Sequence, residues 1–354
     1  MDRLKHLSRK LLSLWLALIT FILTELAAAN PDITEKLYSE GLYPVIASVL
    51  SRLSSISPFS LDDIFYIGLI LFFIILVALL IFRRVKAGIF SRFLINTLAI
   101  IYIAFYWLWG FNYFRVEINE RLDIPEQTPS ADNFTLALDH LINSANSYRP
   151  DTFDISYADI NILVEKSYNK QSGFLRIDYP QGVRRPKPIT FSRFFAKAAI
   201  SGYFGPFFNE VHINSYLLPV EYPWTLAHEK AHQFGITSEA EANFYAWYVC
   251  NSSENMQIEY AANLNALFYF LYEAKKMRSY KTTFSKIDKK VISDMKQIIN
   301  HWQKLRNAQV EKAASKANDT YLKTNKIEKG VDDYDGVVKY ITEYLFTKND
   351  NLKN

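Results

Sequence analysis

Long apolar runs near the N-terminus constrain this chain more than any other feature of its sequence. Residues 64–82 are nineteen consecutive residues without a charge, enough for a helix to cross a hydrocarbon core of about 30 Å. Residues 93–114 form a second run, and its aromatic residues concentrate toward the far end, as in an interfacial belt: Tyr102, Tyr106, Trp107, Trp109 and Tyr113. These runs predict a protein that lies in a lipid bilayer.

A third apolar run, residues 11–29, has two interpretations. It is interrupted by Glu25 and ends in three alanines, a pattern that a cleavable signal peptide would also show. We favour a retained membrane span, which makes three spans over about residues 11–29, 64–82 and 93–114. Both interpretations put the following residues on the same side of the membrane.

The distribution of lysine and arginine predicts the orientation of these spans. Basic residues cluster at the N-terminus and between the second and third spans: Arg3, Lys5, Arg9, Lys10, Arg83, Arg84, Lys86 and Arg92. Residues 30–63 carry only two basic residues against five acidic ones. The positive-inside rule therefore predicts an inner-membrane protein with a cytoplasmic N-terminus and an extracytoplasmic, periplasmic region after residue 114. The basic residues that set this topology largely account for the net charge of +4. This charge therefore does not predict a nucleic-acid partner.

The sequence His228-Glu229-Lys230-Ala231-His232 has the pattern H-E-x-x-H. On a helix, His228 and His232 project from one face, at the spacing that two ligands of one tetrahedral zinc need. Glu229 lies beside them, where it can act as a base on a water at the metal. The alternative is a surface helix with two unrelated histidines. We favour a Zn²⁺ site because of the residues that follow.

Two carboxylates after the motif are candidates for the third ligand. Gly235 can end the first helix, and Ser238 with Glu241 forms a capping box that opens a second helix. In a capping box Glu241 reaches back to the backbone of Ser238, so Glu239 is left to bind zinc. Asn243 lies one turn further along the same face, as a supporting residue. The alternatives are that Glu241 is the ligand, or that both carboxylates only stabilise the positive end of the helix.

This part of the chain resembles known proteins. The motif followed by Glu-x-x-Ala-Asn at residues 239–243 resembles the gluzincin type of zinc metallopeptidase, in which a Glu is the third ligand. More widely, the chain resembles a bacterial membrane-protein family called domain of unknown function 3810, over residues 30–31, 38–44, 57–60 with Asp63, 202–207 and 228–244. The resemblance implies a membrane-anchored peptidase with no established substrate. Lys230 is a departure, because such motifs usually carry a hydrophobic or small residue there; this weakens the expectation of tight helix packing.

The fold class predicted is a mainly α membrane protein, with an anchor (1–114) followed by an α-rich, zincin-like domain (115–354) that contains a short β element. Residues 132–148, 156–170, 284–317 and 334–346 have helical patterns, and residues 171–189 are rich in Gly and Pro and predict a loop or short strand. Residues 260–272 are apolar but too short for a fourth span, so a buried helix is predicted. The single cysteine, Cys250, is predicted to be a buried apolar residue.

Residues 208–217 alternate partly and are the best strand candidate. Extended peptides bind sheet edges through their unpaired backbone groups, so one hypothesis is a substrate-binding edge formed by Glu210, Val211, His212, Ile213 and Asn214. The alternative is an ordinary core strand.

The function predicted is zinc-dependent hydrolysis of peptide bonds in a peptide or protein substrate, with Glu229 as the base that passes its proton to the leaving amine. A second donor to the oxyanion is usually needed, and His212, Tyr203 and Tyr260 are candidates. Two alternatives stay open, namely a zinc-binding sensor or receptor and a non-catalytic scaffold with a structural zinc.

Overall fold

A computed structural model of the protein describes residues 12–127, 130–179 and 184–351. The basic residues at positions 3 to 10, the start of the predicted first span and residues 180–183 of the predicted loop lie outside these ranges. The described residues divide into two compact units. The first holds the chain up to Arg115 with Arg184 and Gly205–Glu210, and the second holds the rest.

The continuous part of the first unit is helical. Its elements are α1 (Leu12–Ala29), α2 (Pro31–Thr34), a π-helix (Glu35–Leu42), α3 (Tyr43–Ile56), α4 (Leu61–Ile81), α5 (Ala87–Leu108) and a 3-10 helix (Gly110–Phe114). The helices α1, α4 and α5 are long and apolar enough to cross a membrane, which confirms three helices of span length. Large apolar side chains of α4 such as Ile70 and Ile74 are 59% exposed, as a surface that faces lipid would be.

Helix α5 differs at both ends from the third span predicted over residues 93–114. Helix α5 begins at Ala87 and runs through Arg92, and it stops at Leu108. Trp109 leaves the helical conformation with φ −157° and ψ −38°, and the chain continues as the 3-10 helix. Apolar content follows the membrane environment, whereas the helix ends where the backbone turns, so the two need not coincide.

The connection between the first two spans is helical and anchored by buried polar contacts. The Tyr38 hydroxyl donates to the carbonyl of Trp107 at the end of α5 (3.0 Å). The guanidinium of Arg115 forms an ion pair with the carboxylate of Glu35, and both side chains are at least 90% buried. These contacts fix the π-helix against the chain that leaves α5.

The start of α4 is tied to residues 205–210 within the same unit. Ser60 caps the helix by accepting from the backbone N–H of Asp63 (2.8 Å). One oxygen of Glu210 accepts from the Ser60 hydroxyl (3.0 Å) and from the backbone N–H of Asp62 (3.1 Å). A Cβ at position 205 would lie 2.3 Å from a carboxylate oxygen of Asp62, so only glycine allows this close approach.

The second unit is mainly α with one small sheet, which confirms the predicted class. Its elements are α6 (Ile118–Arg121), α7 (Ala131–Tyr148), α8 (Tyr157–Gln171), β1 (Lys187–Pro188), α9 (Ser192–Lys197), β2 (Gly202–Gly205), β3 (Glu210–Ile213), a 3-10 helix (Pro219–Glu221), α10 (Tyr222–Gln233), α11 (Glu239–Asn251), α12 (Met256–Ala274), α13 (Tyr280–Phe284), α14 (Lys289–Leu305), α15 (Ala308–Thr324), a 3-10 helix (Gly330–Gly336) and α16 (Val337–Asn351). The loop between β2 and β3 is the part counted with the first unit.

Most predicted helices of this unit are confirmed, and one is wrong. Residues 132–148, 156–170 and 260–272 fall in α7, α8 and the buried helix α12, and Cys250 is buried and free. The single helical stretch predicted over 284–317 is instead broken between α14 and α15. Asn307 causes the break, since its side chain accepts from the backbone N–H groups of Gln309 and Val310 and starts a new helix.

The sheet has the strand order β1-β3-β2, with β1 parallel to β3. The strand predicted in 208–217 is therefore present as β3, but it is the central strand and is buried along its whole length. The hypothesis that Glu210, Val211, His212, Ile213 and Asn214 form a free edge is corrected, because the backbone of β3 is already paired on both sides. Asn214 donates its N–H to Ser201, next to β2 (2.8 Å). The strand β2 lies at the edge.

Candidate metal centre

Helices α10 and α11 form a tight hairpin whose ends follow the sequence signals. Pro223 lies in the first turn of α10, where its missing N–H costs nothing. Gly235 has φ +84° and ends the helix in a left-handed conformation that favours glycine. Ser238 then caps α11 by accepting from the N–H of Glu241 (3.3 Å). The first turn of α11 is thereby brought beside the last turn of α10.

This hairpin brings His228, His232 and Glu239 together. The two Nε2 atoms are 3.1 Å apart, and Oε2 of Glu239 lies 3.1 Å from Nε2 of His228 and 3.4 Å from Nε2 of His232. Ligands of a tetrahedral zinc at about 2.0–2.1 Å would lie about 3.3–3.4 Å from one another. The three atoms therefore have nearly the spacing that one zinc ion would require.

The hydrogen bonds on the far side of each imidazole orient it for a metal. Nδ1 of His228 lies 2.9 Å from Oδ1 of Asn243, whose amide nitrogen donates to the carbonyl of Tyr334 (3.3 Å) and is thereby oriented. Nδ1 of His232 lies 2.7 Å from the carbonyl of Ile236, which can only accept. Each neutral ring thus carries its proton on Nδ1 and presents the lone pair of Nε2 to the common point.

The electrostatics of this group favour a positive charge at its centre. Burial alone would lower the pKa of His232, but the neighbouring carboxylate of Glu239 raises the pKa of His232 to about 9. Although burial opposes it, the positive charge on His232 holds the pKa of Glu239 well below its usual range. Three buried lone-pair donors, one of them a carboxylate that favours a neighbouring positive charge, suit a divalent cation. Two imidazoles with one carboxylate suit zinc in particular.

Glu229 is buried beside this group and packs against the start of β2. Burial raises the pKa of Glu229 above its usual value. A Cβ at position 202 would lie 2.8 Å from Oε1 of Glu229 and 2.9 Å from the carbonyl of His212, so Gly202 lets the strand approach the carboxylate closely. A carboxylate that burial makes more basic has the character of a general base.

Glu241 lies away from the three converging atoms. Its carboxylate forms a buried ion pair with Arg121 of α6 (2.5 Å) rather than reaching back to the Ser238 backbone. The Ser238 hydroxyl donates to the carboxylate of Asp333 (2.8 Å), which also accepts from the N–H of Ala240 (3.2 Å). Ser238 therefore caps the helix as predicted, whereas Glu241 pairs with Arg121 instead of completing a capping box, and Asp333 satisfies a further N–H of the first turn.

The structure separates the candidates for the oxyanion donor. The Tyr260 hydroxyl donates to Asp294 (2.5 Å) and is committed to that contact. Tyr203 stacks on the fully buried His212, with ring centroids 4.2 Å apart. No sequence pattern indicates Tyr334, whose ring lies nearly parallel to that of His228 at a centroid distance of 6.5 Å. Its segment is distant in the chain from the motif, so only the fold reveals its position.

Comparison with known proteins supplies a family and no activity. No curated protein and no solved structure matches the chain. The family model described as protein of unknown function (DUF3810) matches residues 38–342, which is most of the chain. The chain therefore belongs to the DUF3810 family.

Proposed function

We propose that the protein is a membrane-anchored, zinc-dependent metallopeptidase that hydrolyses peptide bonds on the extracytoplasmic side of the inner membrane. The observation that carries this proposal is the convergence of His228, His232 and Glu239 with the buried carboxylate of Glu229 beside them. Residues 1–114 would be the anchor and residues 115–354 the catalytic domain.

The chemistry follows from what each side chain can do. Zinc held by the two imidazoles and Glu239 would supply a Lewis acid that lowers the pKa of a water toward about 7 and polarises a carbonyl. Glu229 would take the proton of the attacking water and give it to the leaving amine. Asn243 and the carbonyl of Ile236 would hold the imidazoles in the required tautomer.

The number of protein ligands available to a metal favours a catalytic site over a structural zinc site. Structural zinc sites have four protein ligands, whereas the group found among the described residues has three members. Three ligands leave a position open for water or substrate. The buried carboxylate of Glu229 beside that position is the group that general-base catalysis on a water there would use.

The position of β2 supports a peptide as the substrate. This strand lies at the edge of the sheet and begins at Gly202, next to Glu229. An extended peptide could pair with such an edge through its backbone and present a carbonyl near the base. We therefore transfer the substrate-binding role predicted for β3 to β2.

The orientation rests on the sequence. The basic residues that precede the first span and separate the second from the third place these segments in the cytoplasm. The region after the third span then lies outside the cytoplasm.

The test is the variant Glu229→Gln in the full-length protein. We expect zinc content equal to that of the wild type, and cleavage reduced by about 10²–10⁴-fold because the base is lost. Metal analysis and a proteome-wide comparison of cleavage termini measure the two effects. Glu254→Gln is the matched control, because Glu254 is an exposed residue paired with Lys170. Unchanged cleavage in Glu229→Gln would refute the proposed base, and purified protein without bound metal would refute the metal centre.

A further inference from the structure

A cavity of 330 Å³ in the second unit begins one helical turn from the metal centre. Its wall includes Trp224 and Thr225 of α10, which precede His228 and Glu229 by four residues each. Residues four apart lie on the same face of an α-helix, one turn or about 5.4 Å along its axis. The cavity and the metal centre therefore share one face of α10.

Two further links join the cavity to the site. Ser201 lines the cavity and precedes Gly202, whose backbone packs against Glu229. Tyr269 lines the cavity as well, and its hydroxyl accepts from the amide of Asn243 (3.3 Å), the residue that orients His228. The cavity thus adjoins the base, the ligand support and the start of the edge strand β2.

The wall of the cavity is suited to an uncharged side chain. Its apolar part is formed by Trp224, Trp302, Ile298 and Ile299, and Asn265 adds a neutral amide. Its charged groups are already engaged: Glu221 accepts from the indole N–H of Trp302 (2.6 Å), and Arg306 pairs with Glu311 (3.0 Å). Burial of an apolar or aromatic group against such a wall is favourable, whereas a charged group would lose its hydration.

We propose that this cavity is the specificity pocket of the site, and that it receives a large apolar or aromatic side chain next to the bond that is cleaved. This inference rests on the proposed function for its account of cleavage. Its recognition step does not require turnover, so binding can be measured separately. The substrate class is then a peptide with a residue such as Phe or Leu beside the scissile bond.

The experiment uses the full-length, zinc-loaded variant Glu229→Gln in detergent. Blocked tripeptides with Phe or Ala in the middle position are titrated by calorimetry. We expect the Phe peptide to bind at least about tenfold more tightly than the Ala peptide, because a pocket gains this much or more from a large apolar group. Equal affinities, or no measurable binding of either peptide, would overturn the proposal.

Two substitutions locate the binding to the cavity. Ile299 is 43% exposed and lines the cavity, so Ile299→Trp fills it from the surface and should abolish the preference for Phe. Lys289→Trp introduces the same side chain on α14 but outside the wall of the cavity, and this control should keep the preference for Phe. Asn265→Asp places a charge in the wall with little change of shape and should favour a peptide with Lys in place of Phe. A preference for Phe that survives both cavity variants would refute the assignment.

The binding result and the proposed function can fail separately. Wild-type protein that binds the Phe peptide without cleaving it would contradict the peptidase proposal and support the pocket. Cleavage without preference at the adjacent position would support the peptidase and contradict the pocket.

Discussion

Helix α10 carries two buried polar clusters, and they differ in how their donors and acceptors balance. In the first cluster, Lys230 donates to Glu165 of α8 (2.5 Å) and Tyr179 donates to the other oxygen of the same carboxylate. In the second cluster, His228 and His232 direct Nε2 lone pairs at the carboxylate of Glu239. The first cluster is complete, because the charges of Lys230 and Glu165 balance each other. The second is incomplete, because the carboxylate of Glu239 is balanced only by a proton that His232 takes up, and a bound cation would take the place of that proton.

This difference explains the unusual residue inside the motif. Lys230 is fully buried, and its charge is compensated by Glu165 on the helix against which α10 packs. A charged residue in the middle of H-E-x-x-H is therefore compatible with tight packing. The comparison teaches that a buried charge is structural where the protein supplies a dedicated ion-pair partner such as Lys230, and indicates a cation site where a carboxylate faces only imidazoles.

Breaking the complete cluster should have the largest effect on stability. Glu165→Ala leaves the ammonium of Lys230 buried without its carboxylate, which should lower the free energy of unfolding by about 3–5 kcal/mol. For a unit of this size that corresponds to a fall in the thermal midpoint of about 6–20 °C. Thermal unfolding of the zinc-loaded protein in detergent measures the shift.

The control for this prediction removes both charges. The double variant Glu165→Leu with Lys230→Met replaces the pair by apolar groups of similar size and should recover most of the lost stability. If Glu165→Ala unfolds at the wild-type temperature, the first cluster does not stabilise the helix packing.

Breaking the incomplete cluster should change metal binding. Glu239→Ala removes one of three ligands, and a ligand of a protein zinc site accounts for about 2.5–4 kcal/mol, so zinc affinity should fall by about 10²–10³-fold. Competition with a chromophoric chelator measures this affinity. Glu241→Ala is the matched change two residues away, and should keep the zinc affinity while it lowers the thermal midpoint, because Arg121 loses its buried partner.

The reverse result would exchange the roles of the two carboxylates. If Glu241→Ala lost zinc and Glu239→Ala kept it, the ion pair of Glu241 with Arg121 would not persist in the metal-bound protein. The comparison between the clusters would then fail, since the second would lack its carboxylate.

The sequence predicted the parts of the site that depend on local spacing. The positions of His228 and His232 four residues apart, the turn at Gly235 and the cap at Ser238 are all set within about fifteen residues. The partners of this hairpin come from segments distant in the chain and carry no local signal: Arg121, Glu165, Asp333 and Tyr334. The same reason explains the strand β3, because alternation predicts a strand but not which neighbours it pairs with.

The hydrogen-bond acceptors of the two imidazoles sharpen the comparison through a smaller expected change in zinc affinity. Nδ1 of His232 bonds to a backbone carbonyl that no substitution removes, whereas Nδ1 of His228 bonds to the side chain of Asn243. Asn243→Ala should lower zinc affinity by about 10–100-fold, because the ring of His228 loses the acceptor that fixes its tautomer. The chelator competition used above measures the loss.

The variant Asn243→Asp separates the contact of Asn243 with His228 from the two contacts that its amide nitrogen donates, to the carbonyl of Tyr334 and to the hydroxyl of Tyr269. An aspartate keeps an acceptor for Nδ1 of His228 but cannot donate to the carbonyl of Tyr334. Zinc affinity should therefore return to within about tenfold of the wild type if the tautomer of His228 is the cause of the loss. An affinity as low as that of Asn243→Ala would instead assign the effect to the contacts that the amide nitrogen donates to Tyr334 and Tyr269, and the second cluster would depend on the segment Gly330–Gly336 or on α12 as well as on its own helices.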